Sequence, residues 1–160
     1  MRSLYFAIFH SHLTYGLPVW GSANQGILEN IAHLQKKAVC IITSSDYHAH
    51  TRPIMKDTKI LSLEDQRHLQ ISSLMWDLDH DNIPPSLSTY FKKCNTVHQH
   101  NTRHAARGKY LIKHTNTIQY GKKSFQVQGS LTLNGLKDLD IAVSKKSFLN
   151  NLKKSILDNY

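Results

Sequence analysis

Asn24-Gln25-Gly26-Ile27-Leu28-Glu29-Asn30-Ile31-Ala32-His33-Leu34-Gln35-Lys36-Lys37-Ala38-Val39-Cys40-Ile41-Ile42 is the stretch on which the fold class turns. Ile27, Ile31, Leu34, Ala38 and Ile41 recur at steps of 4, 3, 4 and 3. That spacing keeps one side of an α-helix apolar, and Asn24 is suited to cap its start. The stripe is too short for a coiled coil, so it predicts a helix laid against a core.

The flanking sequence extends the helical pattern in both directions. Upstream, Leu4, Tyr5, Ile8, Phe9 and Leu13 predict an amphipathic helix over residues 2–14. Gly16, Pro18 and Gly21 mark a loop, with Trp20 as an anchor into the core. Downstream, Thr51-Arg52-Pro53 reads as a turn or the start of a short helix. Ser62 and Asp65 form a capping-box variant that opens a helix to residue 79, with Leu63, Leu74, Met75 and Leu78 among its apolar positions. Asn82 and Pro84-Pro85 end it, and Pro85 begins a short helix through Phe91.

Beyond residue 91 the pattern is less regular. Residues 94–108 read as a loop, and Tyr110 to Ile118 as a strand or extended chain. Phe125, Gln128, Gly129, Thr132 and Leu136 suit a helical face, and Ser144 caps a last helix carrying Phe148, Leu152 and Ile156. The expectation is one mainly α domain over residues 1–160. It comprises about five to seven helices, with room for one minor β-hairpin in its second half.

A chain of 160 residues is long enough for a real core, burying about 70% of its extended-chain surface. Cys40 and Cys94, its only cysteines, cannot make a disulfide framework. The apolar run Leu4 to Phe9 is broken by His10, Ser11 and His12, and Gly16 and Pro18 interrupt any longer helix. A membrane span is therefore not expected, nor a secretory signal, and an intracellular location (nuclear or cytoplasmic) is.

Charge divides the chain. The net is +9, yet residues 1–90 hold 7 Lys and Arg against 8 Asp and Glu, whereas residues 91–160 hold 13 against 3. Residues 1–91 are thus the near-neutral part and residues 92–160 the basic part. No acidic residue lies between Asp81 and Asp138. One-sided charge of this kind attracts polyanions, because each neutralised phosphate releases a counterion. The competing reading is a solvated basic face with no nucleic-acid partner.

Several chemistries are excluded. Cys94, His98, His100 and His104 lack the paired spacing of a zinc site. Asp77, Asp79 and Asp81 alternate like the opening of a calcium loop, but Asn82 and Ser88 stand where Gly and Glu are needed. Those acids oppose the dipole at a helix C-terminus, so pairing with basic groups is expected instead. There is no phosphate-binding glycine loop and no nucleophile elbow. Cys40 falls on an inward helix side, which argues against a nucleophile. No two aspartates are adjacent, so a two-metal polymerase or nuclease site is not expected, and no cofactor or metal is implied.

Taken in order, the motifs resemble the segment that follows the palm domain in reverse transcriptases of non-LTR retrotransposons, the jockey-like LINE group. The matching residues run nearly end to end. They are Leu4-Tyr5, Phe9, Ser11-His12-Leu13, Tyr15-Gly16, Trp20-Gly21, Leu34-Gln35-Lys36-Lys37-Ala38, Ile41-Ile42, His50-Thr51 and Pro53. Lys59-Ile60-Leu61-Ser62-Leu63, His98, Thr102-Arg103, Ser124, Gly129, Asn134, Leu136, Phe148, Leu152-Lys153 and Tyr160 complete the series. Each motif is short, and the order carries the specificity. Leu133 stands where the family usually has Trp, and Cys40 where it often has Arg.

The resemblance implies a thumb-like helical region that helps hold the template-primer duplex. It also implies that the polymerase aspartates belong to a preceding palm, so that this chain alone is not an enzyme and translates a truncated element copy. The expected partner is RNA or an RNA–DNA duplex, bound without sequence specificity. The expected contacts are Lys92, Lys93, Arg103, Arg107, Lys109, Lys113, Lys122 and Lys123, joined by Lys36 and Lys37. A core role is the expectation for Tyr110 and Tyr120, with stacking on a sugar or an unpaired base as the alternative. Helix faces that once met the palm would promote self-association. The other functional reading is a structural or protein-interaction fragment that binds no nucleic acid.

Overall fold

The computed structural model describes residues 2–46, 48–97, 102–136 and 144–160. The chain is mainly α-helical: among the described residues, about 70% are helical, in ten helices. In chain order these are α1 (residues 2–14), α2 (Leu17–Trp20), α3 (Gln25–Thr43), α4 (Thr51–Thr58) and α5 (Leu63–Asp79). Then follow α6 (Pro85–Ser88), α7 (Cys94–Val97), α8 (Arg103–Ala106), α9 (Phe125–Leu136) and α10 (Lys145–Asp158). A π turn at Ile118–Lys122 precedes α9, and α1 is π-wound over Tyr5–His10. Helices are more numerous than expected, and the hairpin is absent among the described residues. A single antiparallel bridge, Lys93 to Tyr110, stands in its place.

Residues 94–108 also depart from the loop reading, since α7 and α8 lie there. The Thr102 side chain accepts from the Ala105 N–H at 3.2 Å, and the Thr96 hydroxyl donates to the Lys93 carbonyl at 2.8 Å. One-turn helices like these rest on local side-chain bonds rather than on an apolar stripe, so hydropathy does not reveal them.

The chain gathers into two units, Met1–Gln70 with Asn150–Tyr160, and Ile71–Leu149. In the first, Tyr5, Val39, Met55 and Ile60 form one buried cluster, flanked by Phe6, Phe9, Ala38, Ile42, Ile54 and Tyr160. Leu13, Leu17 and Leu63 form another, flanked by Trp20, Leu28, Ile31 and Ala32. Gly16 adopts φ +63°, a left-handed turn that glycine takes without strain, and the Trp20 indole donates to the Tyr15 carbonyl at 2.7 Å.

The inward face of α3 keeps only Ile31 and Ala38 of the expected stripe. Ile27, Leu34 and Ile41 are each more than half exposed. The buried line runs through Leu28, Ile31, Ala32, Gln35, Val39 and Ile42 instead. Residues one position apart on a helix point about 100° apart, so the two lines border one another. Gln35 decides between them. It is 1% exposed, and its amide donates to the Leu61 carbonyl at 2.8 Å and to the Tyr5 hydroxyl at 3.3 Å. A polar side chain satisfied in this way is tolerated in a core. On α1 the same holds: Tyr5 and Leu13 are buried, while Leu4 and Ile8, a step to the side, are exposed.

The expected cap of α5 is present. The Ser62 hydroxyl accepts from the Asp65 N–H at 3.3 Å and donates to its carboxylate at 2.5 Å. Tyr160 closes the corner by accepting from the Ser62 N–H at 2.7 Å and donating to the same carboxylate. Burial, and then this bond to Asp65, pushes the Tyr160 phenol up to about 12.

The second unit centres on Ile71, Met75, Leu78, Phe91, Tyr110 and Leu133. Leu133 is 1% exposed, so it fills a core position with less bulk than a Trp would. At Gly129 on α9, an added Cβ would stand 2.8 Å from the Met75 sulfur and 2.8 Å from the Phe91 ring. That clearance is why a glycine occupies a helix interior here, despite its cost there. Among the described residues, no helix is long and apolar enough to cross a membrane.

Candidate nucleic-acid interface

The basic segment is organised by the Lys93–Tyr110 bridge. The Cys94 N–H donates to the Lys109 carbonyl at 2.9 Å, and the Leu111 N–H to the Lys92 carbonyl at 2.8 Å. These two bonds bracket an antiparallel pair whose own backbone groups point away from each other. Side chains alternate across such a ribbon, so Lys92 and Lys109 share one face while Lys93 shares the other with Tyr110. The Lys93 ammonium lies 5.7 Å from the Tyr110 ring centroid, a cation–π distance.

The outward-pointing backbone of Tyr110 is met by one side chain. The Asn134 Oδ1 accepts from the Tyr110 N–H at 2.7 Å, and its Nδ2 donates to the Tyr110 carbonyl at 2.9 Å. A helix side chain thus completes the ladder that a third strand would have supplied. The Tyr110 hydroxyl donates to Asp79 at 3.2 Å. Burial, joined by the nearby Asp79 and Asp81 charges, raises its proton affinity well above the ordinary phenol range. Tyr110 is therefore a core residue, whereas Tyr120 is 89% exposed.

Among the expected contacts, Lys92, Lys93, Arg103, Arg107, Lys113 and Lys122 are exposed, and Lys109 and Lys123 are half-buried. Arg103 opens α8, and Arg107 ends it before Gly108, whose φ is +60°. Lys122 and Lys123 sit at the end of the π turn. All eight lie in the second unit, whereas Lys36 and Lys37 lie on α3 in the first. The two lysines there line a cleft of about 390 Å³ with His33, Cys40, His48, Ala49, His50 and Thr51. Sequence reading missed that grouping because it joins a helix face to a loop some ten residues further on.

Of the acids at the end of α5, one meets a basic group, as the dipole argument expects, and one meets a phenol. Asp77 pairs with Lys145 at 2.5 Å, and Asp79 accepts from Tyr110. In the first unit, burial holds the Lys153 ammonium below its usual range, and neighbouring Arg2 and Lys59 add to the effect. His98 and His100 of the histidine group lie outside the described residues. Among the described residues, no three metal-ligating side chains come together. Cys40 is buried, in keeping with its inward position. No family model, no curated protein and no solved structure matches this chain.

Proposed function

We propose that this chain is a nucleic-acid-backbone-binding region of the post-palm, thumb-like part of a non-LTR retrotransposon reverse transcriptase, with no polymerase chemistry of its own. The observation that supports it is the acid-free run of residues 92–123 with its eight Lys and Arg. Pairing of Lys92–Cys94 with Lys109–Leu111 gathers three of those lysines onto one ribbon. Arginine suits phosphate because its planar fork bonds two oxygens at once. Contacts of this kind position a duplex without reading its sequence. The exposed Tyr120 ring adds a surface on which an unpaired base can stack.

Binding of an RNA–DNA duplex across a salt series tests the reading. With about four to six phosphates neutralised, log K falls with log salt at a slope of about −4 to −5. Replacing Arg103, Arg107 and Lys109 together by Ala flattens that slope by up to about 3, alike on unrelated sequences. Affinity that ignores salt, or the triple substitution, would favour the second reading, a protein-interaction surface. The exposed Ile27, Leu34 and Ile41 on α3 are the observation behind that alternative.

A further inference from the structure

The cleft beside α3 has a chemistry that the basic second unit does not account for. His33, Lys36, Lys37 and Cys40 recur at helical spacing along one side of α3. His48, Ala49, His50 and Thr51 close the opposite wall. Five of the eight lining residues carry or can take positive charge, and none is acidic. The nearest acid in sequence, Asp46, has its carboxylate turned to the His48 N–H at 2.8 Å. Thr51 also begins α4, whose His50 cap makes no side-chain bond to the first turn and whose first turn holds no acid. The helix end therefore adds its partial positive charge to that of the side chains. A volume of about 390 Å³ falls in the range of small-ligand sites.

We infer that this cleft is a phosphate-monoester site, formed by Lys36, Lys37, His33, His48 and His50, which takes the terminal phosphate of a nucleotide or of a nucleic-acid end. Two lysines supply charge at adjacent positions, and imidazoles supply directed N–H donors to the remaining oxygens. A monoester is preferred over a backbone diester because it carries a second negative charge and a third free oxygen. The inference does not rest on the basic segment, whose residues are in the other unit.

The full chain is titrated with inorganic phosphate, and with one short single-stranded oligonucleotide bearing either a 5′-phosphate or a 5′-hydroxyl, while histidine ring signals are followed by NMR. Saturable shifts confined to the rings of His33, His48 and His50 are expected. The 5′-phosphorylated oligonucleotide should bind about tenfold more tightly than its 5′-hydroxyl counterpart. Lys36→Ala with Lys37→Ala should remove that preference, and His50→Gln alone should reduce it while keeping the fold. Arg103→Ala with Arg107→Ala should leave the preference in place while weakening both oligonucleotides. Saturation by inorganic phosphate without preference between oligonucleotide ends would keep the site and assign it to free phosphate. Shifts spread evenly over all eleven histidines, or unchanged by the lysine substitutions, would overturn it.

Discussion

Replacing Asn134 by Ala tests whether a helix side chain holds the basic ribbon in place. The substitution removes both bonds to Tyr110, at 2.7 and 2.9 Å, and leaves a buried N–H and a buried carbonyl without a partner. Each orphaned group costs about 1–3 kcal/mol. Alanine returns at most about 0.7 kcal/mol through its better helix propensity. The net loss should therefore be about 1.3–5.3 kcal/mol, above a typical surface change. Urea denaturation followed by circular dichroism measures it, and a lower midpoint at unchanged slope is the expected form. Asn134→Asp should also destabilise, because an ionised carboxylate accepts from the Tyr110 N–H but has no proton for the carbonyl. The Ala variant should also weaken duplex binding, since Lys92 and Lys109 lose their shared register. A loss below about 1 kcal/mol would mean that water replaces the amide, and that the clamp does not set the ribbon.

Three further expectations follow from the packing. Gly129→Ala should destabilise by about 1–3 kcal/mol, because the added methyl meets Met75 and Phe91; a gain in thermal midpoint would show that α9 can shift to admit it. Ile27→Ser, Leu34→Ser and Ile41→Ser together should cost little stability yet reduce self-association in sedimentation; a wild-type chain that is already monomeric would refute the stripe as a contact surface. Burial, and then Lys153, holds the His10 imidazole below its usual range, and its Nδ1 is buried without a partner. The unfolded chain thus takes up this proton first, so stability is full above about pH 6.5 and falls as pH drops below it. His10→Phe should lessen that fall, and a difference between the two proteins that is the same at neutral and at mildly acidic pH would contradict the assignment.

Helices with strong periodicity or a cap were legible in the residues: α1, α3, α5 and α10 each carry one, whereas residues 124–136 are ambiguous in sequence. The face of α3 was not, because apolar counting favours Ile27, Leu34 and Ile41 and cannot see that Gln35 finds two partners from distant segments. The one-turn helices α7 and α8 escaped for a related reason, having hydrogen bonds but no stripe. Segment charge was readable from composition alone, so the expected lysines and arginines could be named. Their grouping was not, since it depends on the register between residues 92–94 and 109–111. Asn134 stands in the sequence only as part of a motif, and its task becomes apparent once Tyr110 lies beside it.

The Tyr110 amide has a consequence for hydrogen exchange. It sits in a stretch with no helix and only a single bridge, where amides without a partner should trade their protons with water quickly. Its own proton is held by a carboxamide anchored on α9, in a residue that is almost wholly buried. Release therefore requires α9 to open or Asn134 to swing away, and local fraying of the ribbon is not enough. One slow amide among fast neighbours would thus report the free energy of freeing Asn134, 24 residues further along the chain, by its own swing or by the opening of α9.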